Sequence, residues 1–442
     1  MAESSKSLNL QFQNLQFELR VEKMIYGGDG LGHHEGHTVF VPFVLPDELV
    51  AVEPLERRKK FIRGRLARVI TASPKRITPL CPYFVVCGGC HYQNIPYEFQ
   101  LEYKAAILRE TLSRLGRIVW DGPIVSHPSP AYGYRNRAQW KIALEDGRLA
   151  IGYYQAGSRK LCAVNECPIS SPLLVSALQA LSVLLAARKL PDTLLEAEAF
   201  ANDGDAKLFL NLSFEKFEAS PEKLAQTLRS ELPAMESLLL HDRKADRLEL
   251  QGPGHISYRA GGHDYRVGHL SFFQVNRFLA NDLAAIVLGE ARGRLALDLF
   301  AGVGLFTVPL AHRFDRVIGV ESNAAAVRNL EANLQASGAA SPAARASEVE
   351  TFLARWRERP DFVVLDPPRS GVPAQALTQL AKLGPGAIAY LSCDPATLAR
   401  DLALLVGSQE KPGPYQISDV HLVDTFPQTY HMEALVRLSR RE

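Results

Sequence analysis

The spacing of hydrophobic and polar positions changes twice along the chain. From about Leu10 to Ile70, apolar and polar residues alternate in short runs broken by glycine turns: "FELRVEKMI", "YGGDGLGHHEG", "HTVFVPFVL", "LVAVEPLE" and "FIRGRLARVI". Several short strands at close spacing predict a small β-barrel of OB size. The helical run "PYEFQLEYKAAILRETLSRLG" comes next, then a mixed region with the strands "YRNRAQWKIAL", "RLAIGYYQ" and "KLFLNLSF" around a helix near 171–189. From about residue 270 helical patterns alternate with the apolar runs "RLALDLF", "RVIGVE", "DFVVLD" and "GAIAYLS". That alternation predicts a doubly wound, mostly parallel sheet. The expected fold is therefore a multidomain α/β protein with an OB-like barrel over 9–72, a mixed α/β domain over 75–268 and a Rossmann-like domain over 269–442. The helix at 97–116 is expected to pack on the last of these.

Composition narrows the function classes. At 442 residues the chain exceeds what one core usually serves, and 47% hydrophobic with 22% charged residues describes an ordinary soluble protein. No apolar run reaches transmembrane length, and "MAESSKSLNLQFQ" lacks the basic and apolar regions of a secretory signal, so a cytoplasmic protein is expected. A net charge of +2 is close to neutral, so an acidic polymer would have to be recognised locally. One local candidate closes the barrel: Arg57, Arg58, Lys59, Lys60, Arg63, Arg65 and Arg68, then Lys75 and Arg76. Such a stripe is either a charged strand edge or a groove that tracks phosphates. In the middle region Arg135, Arg137 and Lys141 interleave with Tyr134 and Trp140, which suits phosphates and splayed bases or an ordinary exposed strand face.

Chemistry gathers at the carboxyl ends of the later strands. "LALDLFAGVGLFTVPLA" reads as strand, glycine turn and helix, with Gly302 and Gly304 permitting a tight turn and close approach of a ligand. Its G-x-G spacing is an incomplete dinucleotide fingerprint. Asp298, Glu321, Asp366 and Cys393 all end predicted strands, where an open α/β sheet lines its ligand crevice. Glu321 stands where an acid can take two ribose hydroxyls. Asp394 and Pro395 open the helix after Cys393, so a helix N-terminus is expected to favour thiolate over thiol. Position alone leaves Cys393 either a nucleophile or a structural thiol. Glu433, between Met432 and Ala434, is placed for burial and a raised carboxyl pKa useful to a general base. His431 nearby is an orienting candidate.

Six cysteines in a chain of this size do not read as a disulfide framework. Cys81, Cys87 and Cys90 form C-x5-C-x2-C, and Cys167 follows far downstream in "ECPIS". This soft ligand set fits either [4Fe–4S] or Zn, and spacing does not choose. His91 is read as structural.

"DLFAGVGLF", "LDPPRSG", "LSCDPATLARD", "TFPQTYHME" and "SFFQVN" (Ser271–Asn276) together resemble the RNA uracil-C5 methyltransferase family, the RumA/TrmA type, over nearly the whole chain. The first region, with "YGGDGLG" and "VFVPFVLPDE", is similar to an RNA-binding TRAM barrel. The resemblance implies S-adenosylmethionine (SAM) as methyl donor, Cys393 as nucleophile and Glu433 as base. It implies Gln274, Phe300, Leu305, Glu321 and Asp366 as cofactor or active-site contacts, with Glu348 the nearest candidate for a further acidic contact. It places Phe272 against an extruded uracil, with Asp366 a second candidate at the base. It also implies a [4Fe–4S] cluster held by Cys81, Cys87, Cys90 and Cys167, leaving Cys162 a bystander. The chain departs from the family at Asp394, where an amide is frequent, and at Leu305, where a polar residue is frequent.

The chemistry follows from the base. Uracil C5 is too weak a nucleophile to take a methyl group unaided, and a thiol added at C6 makes C5 enolate-like. Within the family it resembles, ribosomal members typically carry both barrel and cluster while the common bacterial tRNA type lacks them, so the resemblance implies 23S rRNA as the favoured substrate with tRNA the alternative, since some tRNA members carry both; no obligate protein partner and a monomer are expected. A radical methylthiotransferase would need C-x3-C-x2-C, which the chain lacks. An inactive RNA-binding assembly factor would not need Cys393 and Glu433.

Overall fold

A computed structural model describes residues 16–145, 147–408 and 410–442. The first residues of the expected barrel, 9–15, lie outside the described residues. The chain forms two compact units: one runs through Ile107 and includes Phe426–His431, the other holds Leu108–Thr425 and Met432–Glu442.

The first unit is built on a six-stranded sheet in the order Phe17–Arg20, Leu49–Arg57, Phe61–Thr71, His37–Pro42, Asp29–His34 and Lys23–Met24. The alternation read in the sequence has this cause: Leu19, Val21, Val39, Val41, Val50, Val52 and Ile62 turn inward to one core. Glu48 is fully buried, and its carboxylate accepts from Leu45 N–H at 2.9 Å and from Arg76 Nη2 at 2.8 Å. Arg76 is thus an internal counterion, while Arg57, Lys59, Lys60, Arg63, Arg65 and Arg68 remain exposed. The segment Phe426–His431 is held within this unit. Gln428 takes two backbone N–H bonds on its carbonyl, from His91 at 2.9 Å and Tyr92 at 3.0 Å. Its side chain and backbone N–H both pair with the buried Gln100 amide, and Lys104 Nζ donates to the Phe426 carbonyl at 3.0 Å.

The second unit carries two large sheets. One has seven strands, in the order Leu161–Ala163, Arg148–Tyr154, Arg137–Glu145, Leu194–Ala201, Leu208–Phe214, Met235–Asp242 and Arg247–Gln251. The other has eight: Pro342–Ala346, Phe314–Glu321, Gly293–Leu299, Phe362–Leu365, Ala387–Ser392, Glu433–Arg440, Tyr415–Val423 and Ile124–His127. Its first five strands are parallel; the edge strand Pro342–Ala346 is half-buried to exposed, and the other four are buried along most of their length, which is why they read as continuous apolar runs. Glu433–Arg440 inserts antiparallel beside Ala387–Ser392. Ile124–His127 joins the far edge against Tyr415–Val423. Three helices of this unit start alike, with a capping side chain before proline: Ser171–Pro172, Ser220–Pro221 and Asp394–Pro395. Among the described residues no helix is long and apolar enough to cross a membrane.

The middle-sheet expectation for RNA contacts is corrected. Tyr134 and Trp140 are buried, Arg137 is paired with Glu198, and Lys141 is paired with Glu196. Alternation puts Trp140 and the basic residues on opposite faces of the strand: the aromatic face is buried, and the basic face is half-buried and ion-paired.

Candidate active site

The chain reverses direction across the eight-stranded sheet at Gly293–Leu299. It runs outward through Phe314–Glu321 and Pro342–Ala346, then returns on the other side at Phe362–Leu365. Loops leaving such a switch point diverge and open a crevice at the strand carboxyl ends. Leu299 pairs with Leu365, so Phe300 and Asp366 emerge side by side into it. Leu365 pairs with Tyr390, and Ser392 pairs with Ala434 in the antiparallel neighbour. Cys393 and Glu433 therefore occupy the next rung, facing each other just past the end of the ladder.

The site is rich in buried acids. Glu433 is 8% exposed and its Oε2 has no hydrogen-bond partner. Burial, then Asp366, hold its carboxyl well above the ordinary range, while Arg369 opposes them. Burial and then Asp298 push Asp366 up to about 7. Asp298, fully buried, also rises to about 7 through burial and, less strongly, Glu321, against a bond from Thr307 Oγ1 at 2.5 Å. The Cys393 thiol is pushed up to about 12 by burial, then by Glu433 and Asp366, with Arg369 again opposing.

That last shift corrects the sequence expectation for Cys393. Asp394 does cap the helix Pro395–Val406, but its Oδ1 accepts from the N–H groups of Ala396 at 2.9 Å and Thr397 at 2.8 Å. The free donors of the helix end are thus spent on a carboxylate, and the buried acids decide the thiol's charge. Arg369, exposed in "DPPR" three positions beyond Asp366, is the cation that lowers the thiol. In the sequence its place after the two prolines reads only as a departure from the aromatic residue of amino-methyltransferases, which argues against an amine acceptor; its charge beside Cys393 was not legible there.

The other side of the crevice is shaped by backbone. Glu321 accepts from Gly302 N–H at 2.9 Å on one oxygen and Asn323 N–H at 2.7 Å on the other, which fixes its carboxylate. Gly304 has φ 98, and a Cβ there would lie 2.7 Å from Leu330. Phe300 adopts φ 69, a left-handed conformation that a non-glycine residue holds only when its surroundings enforce it. The expected helix after this turn is only Thr307–Leu310. Leu305 is buried and its carbonyl accepts from Tyr265 Oη at 3.2 Å, so its side chain offers packing alone. Glu348 is exposed and precedes the helix Val349–Arg355 without a side-chain capping bond. Its strand ends beside Glu321, with Ala346 opposite that residue. In "SFFQVN", Gln274 is 9% and Phe273 2% exposed, while Phe272 projects at 61%.

Among the described residues no group of three or more His, Cys, Asp or Glu side chains is arranged to hold a metal ion. Cys81, Cys87 and Cys90 lie partly exposed within one run of turns in the first unit, with Val85 at φ 77 and Gly89 N–H donating to Cys87 Sγ at 3.4 Å. Cys167 is partly exposed in the second unit, and Cys162 is buried on a strand with its thiol pushed up by burial and Glu145. His91 and His431 belong to an aromatic group with Tyr430 in the first unit.

Asp298 yields a stability prediction. Its folded carboxyl titrates at about 7 against an ordinary 3.8, so the stability of the protonated form is fully present below 3.8 and lost as pH rises through 7. Asp298→Asn stays neutral throughout. Above pH 8 the cofactor-free variant should melt higher than the parent, by on the order of a few kcal/mol, and the gap should close toward pH 4. Taking the difference cancels the opposing effect of buried His91 and His269, whose folded values are depressed. A gap independent of pH in paired thermal melts would refute this.

Residues 96–441 match the family described as tRNA (Uracil-5-)-methyltransferase. An "Uncharacterized RNA methyltransferase" of Aquifex aeolicus (strain VF5) is 32% identical over 435 residues, covering 96% of this chain and 99% of its own. The "23S rRNA (uracil(1939)-C(5))-methyltransferase RlmD" of Alkalilimnicola ehrlichii is 32% identical over 441 residues, covering 96% of each chain. Among solved structures, Pyrococcus abyssi tRNA (uracil-54, C5)-methyltransferase with S-adenosyl-L-homocysteine gives a TM-score of 0.74 at 24% identity, covering 96% of this chain and 100% of that one. At that identity the likeness shows the fold: a mixed α/β methyltransferase with a β-rich N-terminal region. A family match over most of the length, and relatives at this identity end to end, have one reading: the chain belongs to the tRNA (uracil-5-)-methyltransferase family of RNA uracil-C5 methyltransferases.

Proposed function

We propose that the chain methylates C5 of a flipped-out uridine in 23S rRNA to 5-methyluridine, with Cys393 as nucleophile and Glu433 as base. The observation that carries the mechanism is the rung beyond Ser392 and Ala434, where a thiol and a buried, unpartnered carboxyl face each other. When bound, S-adenosylmethionine would supply the electrophilic methyl group, the pair of its sulfur–methyl bond staying with S-adenosylhomocysteine as the leaving group. The cofactor side of the crevice fits such a group: Asp298 Oδ1 is buried without a partner, Glu321 is held by backbone N–H groups, and nothing lies near the Cα face of Gly302. We assign Phe300, Leu305, Glu321, Glu348, Asp366 and Gln274 to this side, and Phe272 with Asp366 to the base.

Cys393 gives up its proton to solvent, and its sulfur forms a bond to uracil C6. The C5–C6 electron pair then makes C5 the nucleophile that takes the methyl group. Glu433 removes the C5 proton, the C5–C6 double bond re-forms, and the Cys393 sulfur leaves as thiolate. Glu433's raised pKa suits this role, because a carboxylate held above its ordinary range is a stronger base toward the C5 proton.

The 23S target is supported by the name of the Alkalilimnicola relative; a tRNA target, the second reading, is supported by the family's description. Unmodified 23S rRNA and tRNA transcripts with methyl-labelled SAM separate them. Label should enter 23S rRNA as 5-methyluridine; incorporation only into tRNA overturns the target, and none into either overturns the activity. The first unit is read as a TRAM-type RNA-binding barrel, the chain as a cytoplasmic monomer, and its domains as 9–72, 75–268 and 269–442.

We assign a [4Fe–4S] cluster to Cys81, Cys87, Cys90 and Cys167. The donor set is chemically apt, with three thiols in ten residues, an N–H bond to one sulfur, and Cys167 more exposed than Cys162. No step of the methyl transfer uses it. Anaerobically purified protein should carry about four iron and four sulfide per chain. Cys90→Ser should lose them together with thermal stability, whereas Cys162→Ser should keep both. Equal iron in the two variants would refute this ligand set.

A further inference from the structure

We infer that Arg137, clamped by Glu198, is a positioning residue for Phe272 and acts through the carbonyl of Ser271. The inference rests on the reading of Phe272 as the platform for the flipped base.

The segment Ser271–Asn276 is anchored on both sides of the residue that projects. Phe273 is buried among Tyr258, Tyr265 and Phe200, at ring-centroid distances of 4.7, 5.8 and 6.3 Å. Val275 accepts at its carbonyl from Asn136 N–H at 3.0 Å, and the Asn276 side chain bonds Ser129. Phe272 stands 61% exposed between these anchors. An exposed aromatic ring on an otherwise immobilised backbone is built for contact, since its ordering entropy is already spent before a ligand arrives.

Ser271, the residue before the ring, is gripped from two sides. Arg137 Nη1 donates to its carbonyl at 2.9 Å, and Asn329 Nδ2 donates to its Oγ at 2.9 Å. Asn329 lies on the helix Ala324–Ala336, which begins just after Glu321. Arg137 is aimed in turn: its Nε donates to Glu198 Oε1 at 2.6 Å, and its guanidinium lies over the rings of Phe200 and Phe209 at 5.5 and 5.8 Å. The second Glu198 oxygen accepts from Asn211 Nδ2 at 2.8 Å. The Asn211 side-chain oxygen meets His269 Nδ1, and His269 Nε2 meets Ser237 Oγ at 2.7 Å. A chain of side-chain bonds thus runs from the interior of the seven-stranded sheet to the backbone beneath the exposed ring.

The chemistry requires arginine there. One planar guanidinium bonds a carboxylate and a carbonyl at a fixed angle while its charge lies near two aromatic rings; an ammonium is a compact point charge without that fixed fork. Apolar packing would hold the sheet as well as a part-buried ion pair does, so the pair's contribution is a fixed direction for what it holds. Misplacing a reacting group by about 1 Å can slow a reaction on the order of a hundredfold.

The test uses full-length enzyme and a 23S rRNA transcript carrying 5-fluorouridine, in which fluorine at C5 blocks proton removal and traps the Cys393 adduct. Arg137→Lys should form adduct about ten- to a hundredfold more slowly, with unchanged SAM affinity and thermal midpoint. Phe272→Ala should slow it similarly, and adding Arg137→Lys to Phe272→Ala should slow it no further, because both act on one ring. Should Arg137→Lys melt lower, Glu198→Gln, which keeps the shape of the clamp, takes its place with the same expectation. An unchanged adduct rate in both clamp variants, or multiplied effects in the double variant, overturns the inference alone. Full adduct formation by Phe272→Ala overturns the reading of Phe272 and this inference with it.

Discussion

Glu433→Gln should turn the enzyme into a trap, accumulating a covalent Cys393–RNA adduct that survives denaturing electrophoresis. Thiol addition and methyl transfer precede proton removal, so the variant should complete both and stop. The substituted amide keeps the shape of the side chain at the rung facing Cys393 and cannot accept a proton. Loss of a positioned base lowers turnover by roughly 10²–10⁴-fold. The substitution also removes a negative neighbour that raises the Cys393 thiol, so the first step should be eased. The two effects act together: formation of adduct favoured, resolution blocked. Turnover at the parent rate, or slow turnover with no shifted RNA band, would remove Glu433 from the role of base.

Cys393 in the free enzyme should behave as a thiol, contrary to the reputation of cysteines beside helix ends. With its pKa pushed up to about 12, alkylation by iodoacetamide should rise about tenfold per pH unit from 7 to 10. Asp366→Asn should speed alkylation at pH 8, and Arg369→Met should slow it, because these groups raise and lower the thiol pKa respectively. Arg369 is exposed and screened by solvent, so its effect should be no more than about tenfold and should shrink with salt. Methyl transfer should fall in step for Arg369→Met and recover in part for Arg369→Lys. Peptide mapping isolates Cys393 from the other thiols; a plateau of reactivity already at pH 7 would mean a preformed thiolate and sink the electrostatic account.

The consequence for mechanism is that the nucleophile must be ionised as it reacts. Burial, Glu433 and Asp366 each raise the Cys393 thiol, and a docked uracil that covers the site further from water adds to the first of these. Proton loss is therefore expected to go with carbon–sulfur bond formation, which removes the charge from sulfur. The raised pKa of Glu433 makes its ionised form a stronger base for the last step.

What could be read from sequence was local. The strand–turn–strand rhythm after residue 270, the capping pair Asp394–Pro395 and the strand-end positions of Asp298, Glu321, Asp366 and Cys393 all follow from neighbours in the chain. Glu433 was legible because an acid between apolar residues at a strand start is rare. Pairings between distant segments were not legible: nothing in "IVSH" announces Ile124–His127 as an edge strand beside Tyr415–Val423. The burial of Trp140 and the pairing of Arg137 with Glu198 were hidden for the same reason, since alternation marks a face without saying what lies against it. The Cys393 pKa was misread because the helix end and Asp394 were weighed without burial and without the acids Glu433 and Asp366, which the fold brings to the thiol from distant segments.

The seating of Phe426–His431 within the first unit bears on how the protein is made. Gln100 and Gln428 bond across 328 positions of sequence. On a ribosome adding roughly 5–20 residues per second, Gln100 and Lys104 wait on the order of tens of seconds for those partners to emerge. Until then the Gln100 amide lacks its late-arriving bonds, and a buried polar group left so costs about 1–3 kcal/mol. The unit made first is the one finished last. A chain cut short before Phe426 lacks both the segment that completes this unit and the base, Glu433, that follows it.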